Sequence, residues 1–273
     1  MKPNKLLSFF PVLIILLAVF MLNMTFAPKI SGGIMMTIRI LLIALFFTAW
    51  RILHRKKETH AESIAFTLMV INLAFFIVSF FTTDLWNLNL ESPKGIALAK
   101  ISDSFFICLV LIFSFLIAGY KLKDIYLTKG KLTLGLIIGF ITFILIGFLA
   151  IYNPEQPIES EFLIKNSVWI LLFIFSNAFM EELLFRGIFL KQLTKFLKPV
   201  WTIILTSIVF AAAHLQVTYT ADVLFFTGIV FILGLIWGFL MYFSRSIIAS
   251  LLFHAGADLM IIIPIYSSFG VSL

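Results

Sequence analysis

Apolar positions along this chain neither alternate nor recur at every third or fourth place. They run on for about 20 residues at a time, broken by short polar or basic turns. Runs of that length predict helices that cross a bilayer. Nine such runs are present, over 6–26, 34–53, 62–83, 101–120, 132–152, 167–190, 200–216, 223–243 and 246–266. Only Phe243-Ser244-Arg245-Ser246 separates the last two, which predicts a tight turn. The alternative count is eight spans with one segment in the interface. The expected fold is all-α: a polytopic transmembrane helix bundle of about eight to nine spans, with any active site inside it. Strands of a barrel would alternate in polarity over short segments instead. The first run follows Lys2 and Lys5 as a signal peptide's apolar core would. It is too long for one and lacks a small-x-small cleavage site, so it reads as a retained first span.

Composition agrees. The 273 residues are 62% hydrophobic and only 12% charged, with a mean hydropathy of +1.13. A soluble chain would be about half apolar and a quarter charged, so the solvent of this one is lipid. Cation placement then orients the bundle. With the N-terminus cytoplasmic, the inner segments hold Lys2, Lys5, Arg51, Arg55, Lys56, Lys57, Lys121, Lys123, Lys129, Lys131, Lys191, Lys195, Lys198 and Arg245. The outer side holds Lys29, Lys94, Lys100 and Lys165, and its 153–165 loop carries Glu155, Glu159 and Glu161. The net charge of +7 therefore faces anionic lipid rather than nucleic acid. A bacterial host would place the chain in its plasma membrane. The single cysteine, Cys108, lies in an apolar run and is read as packing.

Ionisable side chains inside these spans cost a few kcal/mol each, which makes them functional candidates. In the sixth span, Phe179-Met180-Glu181-Glu182-Leu183-Leu184-Phe185-Arg186-Gly187 places Glu182 and Arg186 at i,i+4 on one face. Glu181 points about 100° away, so the guanidinium serves one carboxylate and leaves the other for chemistry. The bland reading, charges snorkelling at a helix end, is opposed by the apolar Ile188-Phe189-Leu190 that follows. The seventh span ends Phe210-Ala211-Ala212-Ala213-His214, and the ninth holds His254-Ala255-Gly256-Ala257-Asp258, again an i,i+4 pair. Carboxylates and imidazoles in one apolar bundle suit activation of a water that attacks a carbonyl.

Glu181-Glu182-x-x-x-Arg186, then Phe210-x-x-x-His214, then His254-x-x-x-Asp258 resembles the CPBP family of CAAX-processing and bacteriocin-processing intramembrane proteases, related to the type II CAAX prenyl endopeptidases. Leu233-Gly234-Leu235-Ile236-Trp237-Gly238 and the run Ser246 to His254 resemble its last two core helices. The resemblance implies an intramembrane endopeptidase acting on a membrane-associated or lipid-modified protein or peptide. It assigns residues 131–273 to the protease core, with motifs within 165–262. Residues 1–130 are N-terminal helices without recognisable chemistry. Glu181 is then the base that activates water, His214 its helper, and His254 with residue 258 the oxyanion hole. Glu182, Arg186 and Phe210 support the site. Many relatives carry asparagine where this chain has Asp258, and an ionised aspartate cannot donate to an oxyanion. Asp258 is then protonated, orients His254, or ligates a metal.

No cofactor is favoured. Zinc is the possible exception, with Glu181, His214, His254 and Asp258 as candidate ligands. The chain lacks His-Glu-x-x-His and Gly-x-Ser-x-Gly, and no second in-membrane aspartate accompanies Gly256-Ala257-Asp258, since Asp103 sits at a span's edge. Competing readings are a proton-coupled transporter, or a bacteriocin-immunity or scaffold membrane protein for which catalysis is dispensable. The substrate is not written in the sequence.

Overall fold

The structure, a computed structural model, describes residues 9–80, 86–152 and 158–269. The beginning of the first expected span, the end of the third, Lys2, Lys5 and Glu155 lie outside the described residues. No strand occurs among the described residues. Nine principal helices follow in order: α1 Phe9–Phe20, extended by a π-helical stretch Met21–Phe26; α2 Gly32–Arg55; α3 Thr59–Val78; α4 Pro93–Ile117; and α5 Leu132–Ile151. Next come α6 Ser160–Glu182, extended by a π-helical stretch Leu183–Leu190 and a last turn to Leu193; α7 Pro199–Ala213; α8 Val223–Ser244; and α9 Ile248–Ser268. Eight of these are long and apolar enough to cross a membrane, and α7 is the short one. The chain is an all-α, multi-pass integral membrane protein.

Boundaries shift from the expected ones where a cap outweighs hydropathy. The fourth helix begins eight residues early, because Ser92 caps it by accepting from Gly95 N at 3.1 Å and Pro93 occupies the first turn. Its early cations, Lys94 and Lys100, lie over the rings of Trp169 and Phe173 at 5.7 and 5.5 Å, so their apolar stems cover the neighbouring helix.

Ends of the bundle are matched by backbone bonds. Lys131 N donates to Ser244 O at 2.7 Å, and Ile247 N to Tyr126 O at 3.2 Å. Gly130 makes this approach possible. Its φ is +48°, and a Cβ there would stand 2.3 Å from Ser244 O. Lys191 at the end of α6 lies 4.6 Å over the Tyr126 ring, so α6 and α8 finish at the same basic end. Residues 194–222 must therefore cross the bundle between them. Phe9 meets Trp201 at 5.8 Å, and Thr25 bonds the carbonyl of Ala212 at 3.5 Å, so α7 runs parallel to α1. Fifteen residues at 1.5 Å each reach only about 22 Å of a ~30 Å hydrocarbon core. The seventh crossing is a short helix completed by the non-helical 214–222. Eight of the described helices are long enough to cross a membrane, and α7 with 214–222 leads from one end of the bundle to the other.

The centre of the molecule is the inner half of α6, where every residue from Met180 to Leu190 is buried. A helix hidden on all sides belongs in the middle of a bundle. Close approach of α5 and α9 completes the packing: a Cβ on Gly256 would stand 2.9 Å from Phe143 Cα.

Candidate active site

The two glutamates end the α-helical part of α6, and the widened π turn begins at the next residue. Such turns recur at functional sites. Arg186, fully buried, donates from Nη1 to Glu182 Oε1 at 3.1 Å. Its guanidinium carbon lies 4.1 Å from the Phe210 ring centre and 5.5 Å from that of Trp237, a second stabilisation by aromatic faces. Room for it exists because residue 234 is glycine; a Cβ there would sit 3.0 Å from Nη2. The expectation that Arg186 serves one carboxylate matches this geometry.

His254 joins the parts. Its Nδ1 is 3.0 Å from the same Glu182 Oε1. Its Nε2 stands 3.5 Å from Glu181 Oε2 and 3.5 Å from Asp258 Oδ1. The ring stacks on Trp237 with centres 3.9 Å apart and planes 10° from parallel. Three carboxylates from two helices thus surround one imidazole whose plane is fixed by an indole. Asp258 is held in turn by Asn177, whose Nδ2 donates to Oδ2 at 3.0 Å.

His214 caps the end of α7. Its Nδ1 lies 2.8 Å from Phe210 O. A carbonyl only accepts, so Nδ1 carries the hydrogen, and Nε2 of the neutral ring is left as an acceptor. Among the described residues no hydrogen bond joins His214 to Glu181, although the two lie within Coulombic reach.

A cavity of about 490 Å³ adjoins these groups. His214, His254 and Asp258 lie on its wall, and Phe226, Val230, Leu233 and Ile261 give it an apolar lining. Glu181 stands behind the wall, against His254.

Asn177 was missed in the sequence, although a polar residue one turn before Glu181 in an apolar span was a usable signal. Away from this site, Arg39 of α2 was also left unassigned. It is buried and donates to Asn23 Oδ1 at 3.0 Å, while Asn23 donates to Asn72 Oδ1 at 3.0 Å.

Zinc does not fit the observed arrangement. Among the described residues no group of three or more His, Cys, Asp or Glu side chains is placed to hold a metal ion. Both nitrogens of His254 already face carboxylates, so Glu181, His214, His254 and Asp258 do not form a ligand set.

Residues 163–260 match the family model described as type II CAAX prenyl endopeptidase Rce1-like. The match takes in every side chain of the site, from Asn177 to Asp258, within roughly a third of the chain. No curated protein and no solved structure matches the chain.

Proposed function

We propose that this chain, whose residues 163–260 match the Rce1-like CAAX protease family model, is an intramembrane endopeptidase in which Glu181 activates the attacking water. Its substrate is a membrane-associated or lipid-modified protein or peptide. Glu181 is favoured over Glu182 because the latter already shares one oxygen with Arg186 and His254. Oε2 of each glutamate is buried without a hydrogen-bond partner, so the difference between them is the engaged Oε1 of Glu182.

In this mechanism Glu181 takes a proton from water as the oxygen attacks the scissile carbonyl carbon. His214 orients that water through the Nε2 lone pair. With a proton on each nitrogen, His254 donates from Nδ1 to Glu182 and offers Nε2–H to the developing oxyanion. The C–N bond then breaks, and Glu181 returns the proton to the leaving amine. Asp258 is an orienting group here: the Asn177 amide holds it, and its charge 3.5 Å from Nε2 favours the doubly protonated ring of His254. Residues 131–273 form the protease core, and 1–130 contribute no chemical step. The cation-rich end faces the cytoplasm, with the N-terminus on that side.

The observation carrying this reading is the convergence of Glu181, Glu182 and Asp258 on His254 at a cavity wall. Glu181→Gln keeps size and hydrogen-bonding capacity but cannot take the proton. It is expected to lose at least about 100-fold in turnover with normal accumulation in the membrane. Membrane-peptide profiles of cells carrying wild type or Glu181→Gln measure this. Unchanged profiles, with wild-type cleavage by the variant, would remove Glu181 from the role.

A further inference from the structure

The cavity is asymmetric along the bundle. At its inner end are Trp237, seven residues before the close of α8, and His254, six residues into α9. At 1.5 Å per residue these lie about 10 Å from the basic end. Its outer lining is Phe226 near the start of α8 and Pro264 and Ile265 near the close of α9, about 24–27 Å from that end. The cavity therefore leads from the reacting groups toward the end of the bundle that lacks the cation cluster. His214, Tyr219 and Thr220 of the 214–222 segment complete its wall there, and Tyr219 packs edge-on to Phe226 at 5.4 Å.

That segment supplies the second observation. Because α7 stops short, the non-helical 214–222 carries the chain on to the start of α8 beside the outer end of the cavity. Gln216, Thr218, Tyr219 and Asp222 are exposed there, and polar side chains at that end suit contact with water rather than with hydrocarbon.

We infer that the reaction cavity is entered through the mouth beside 214–222, from the face opposite the basic end, and that the polypeptide it receives is presented from that non-cytoplasmic side. The substrate clause rests on the proposed proteolytic reading; the entry route does not. Water for hydrolysis uses the same opening, and the apolar lining of α8 and α9 receives apolar side chains of the entering segment.

Cys108 is the sole cysteine, so Cys108→Ala gives a clean background for thiol labelling. Thr220→Cys at the mouth, Leu233→Cys deeper in the cavity and Lys123→Cys at the basic end are reacted with a charged, membrane-impermeant maleimide. The vesicles are sealed and of both orientations. Thr220→Cys and Leu233→Cys are expected to react from one side and Lys123→Cys from the other. Reaction of all three from one side overturns the route, as does protection of Leu233→Cys from both sides. Thr220→Cys and Leu233→Cys lie on different elements, so a folding failure of one leaves the other readable. Labelling does not depend on turnover, so an inactive protein with the expected pattern would refute the proteolytic reading and leave the route standing. A single-span reporter completes the test. Its cleavage when the scissile segment is exposed on the Lys123 side alone would overturn the substrate clause.

Discussion

Removing the guanidinium of Arg186 leaves Glu182 and His254 sharing a charge that no longer balances in a medium without water. Arg186→Ala is expected to cost about 3–5 kcal/mol, the scale for breaking a buried pair by deleting one partner. Arg186→Lys should recover little of it, because an ammonium has neither the planar face that lies on Phe210 nor a forked donor. Unfolding in detergent measures both; a variant melting with the wild type would remove the bracing role. Asn177→Leu strips Asp258 of its amide donor. A loss of about 1–3 kcal/mol is expected, together with reduced turnover as Asp258 ceases to hold His254. Normal kcat and normal melting together would contradict that role. Charges in an apolar run stand out, which is why Glu181, Glu182, Arg186, His214, His254 and Asp258 were legible in the sequence. Trp237 is apolar and does not contrast with its surroundings until the partner helix is in place, and uncharged Asn177 contrasts less than its ionisable neighbours. Arg39 did contrast, and only the fold supplies its partners Asn23 and Asn72.

Helices α5 and α9 meet through glycine rather than through side chains. Gly256→Val would push Cβ and two methyls into the Phe143 backbone, costing about 1–3 kcal/mol or more by overpacking. The shift would carry His254 and Asp258, which flank it on α9, away from Glu181. Reduced melting temperature and reduced turnover are expected together, and loss of neither would show that the contact yields freely. Hydropathy located every span but misjudged particular ends. The start of α4 is set by the Ser92 cap, and α7 ends at Ala213, three residues before the expected 216.

At the scale of the molecule, nine crossings place the two termini on opposite faces, whereas eight would place them together. Tags at each end should therefore be cut by protease from opposite sides of sealed vesicles. Removal from the same side would mean that 194–222 does not cross. The all-α class was readable because the bilayer imposes a length on every apolar run. Which crossing was irregular was not, since composition records how apolar a stretch is and not how it is wound.

The π-helical turn after Glu182 carries one more consequence. It holds an extra residue relative to an α-helix of equal rise, and so acts as a phase shift between two halves of one rod. Upstream of it, Asn177, Glu181 and Glu182 are aimed at α9; downstream, Gln192 is aimed at Ser63, bonded at 2.7 Å. Deleting a single residue such as Leu184 would remove that extra residue and let the stretch close into a regular α-helix of equal rise, with the two halves still nearly in step. Winding all of its residues as a regular α-helix would instead turn the halves about 100° apart, and only one of the two sets of contacts could then form. The deletion should therefore be milder than a one-residue insertion at the same place, which is expected to lose either the site or the anchorage to α3.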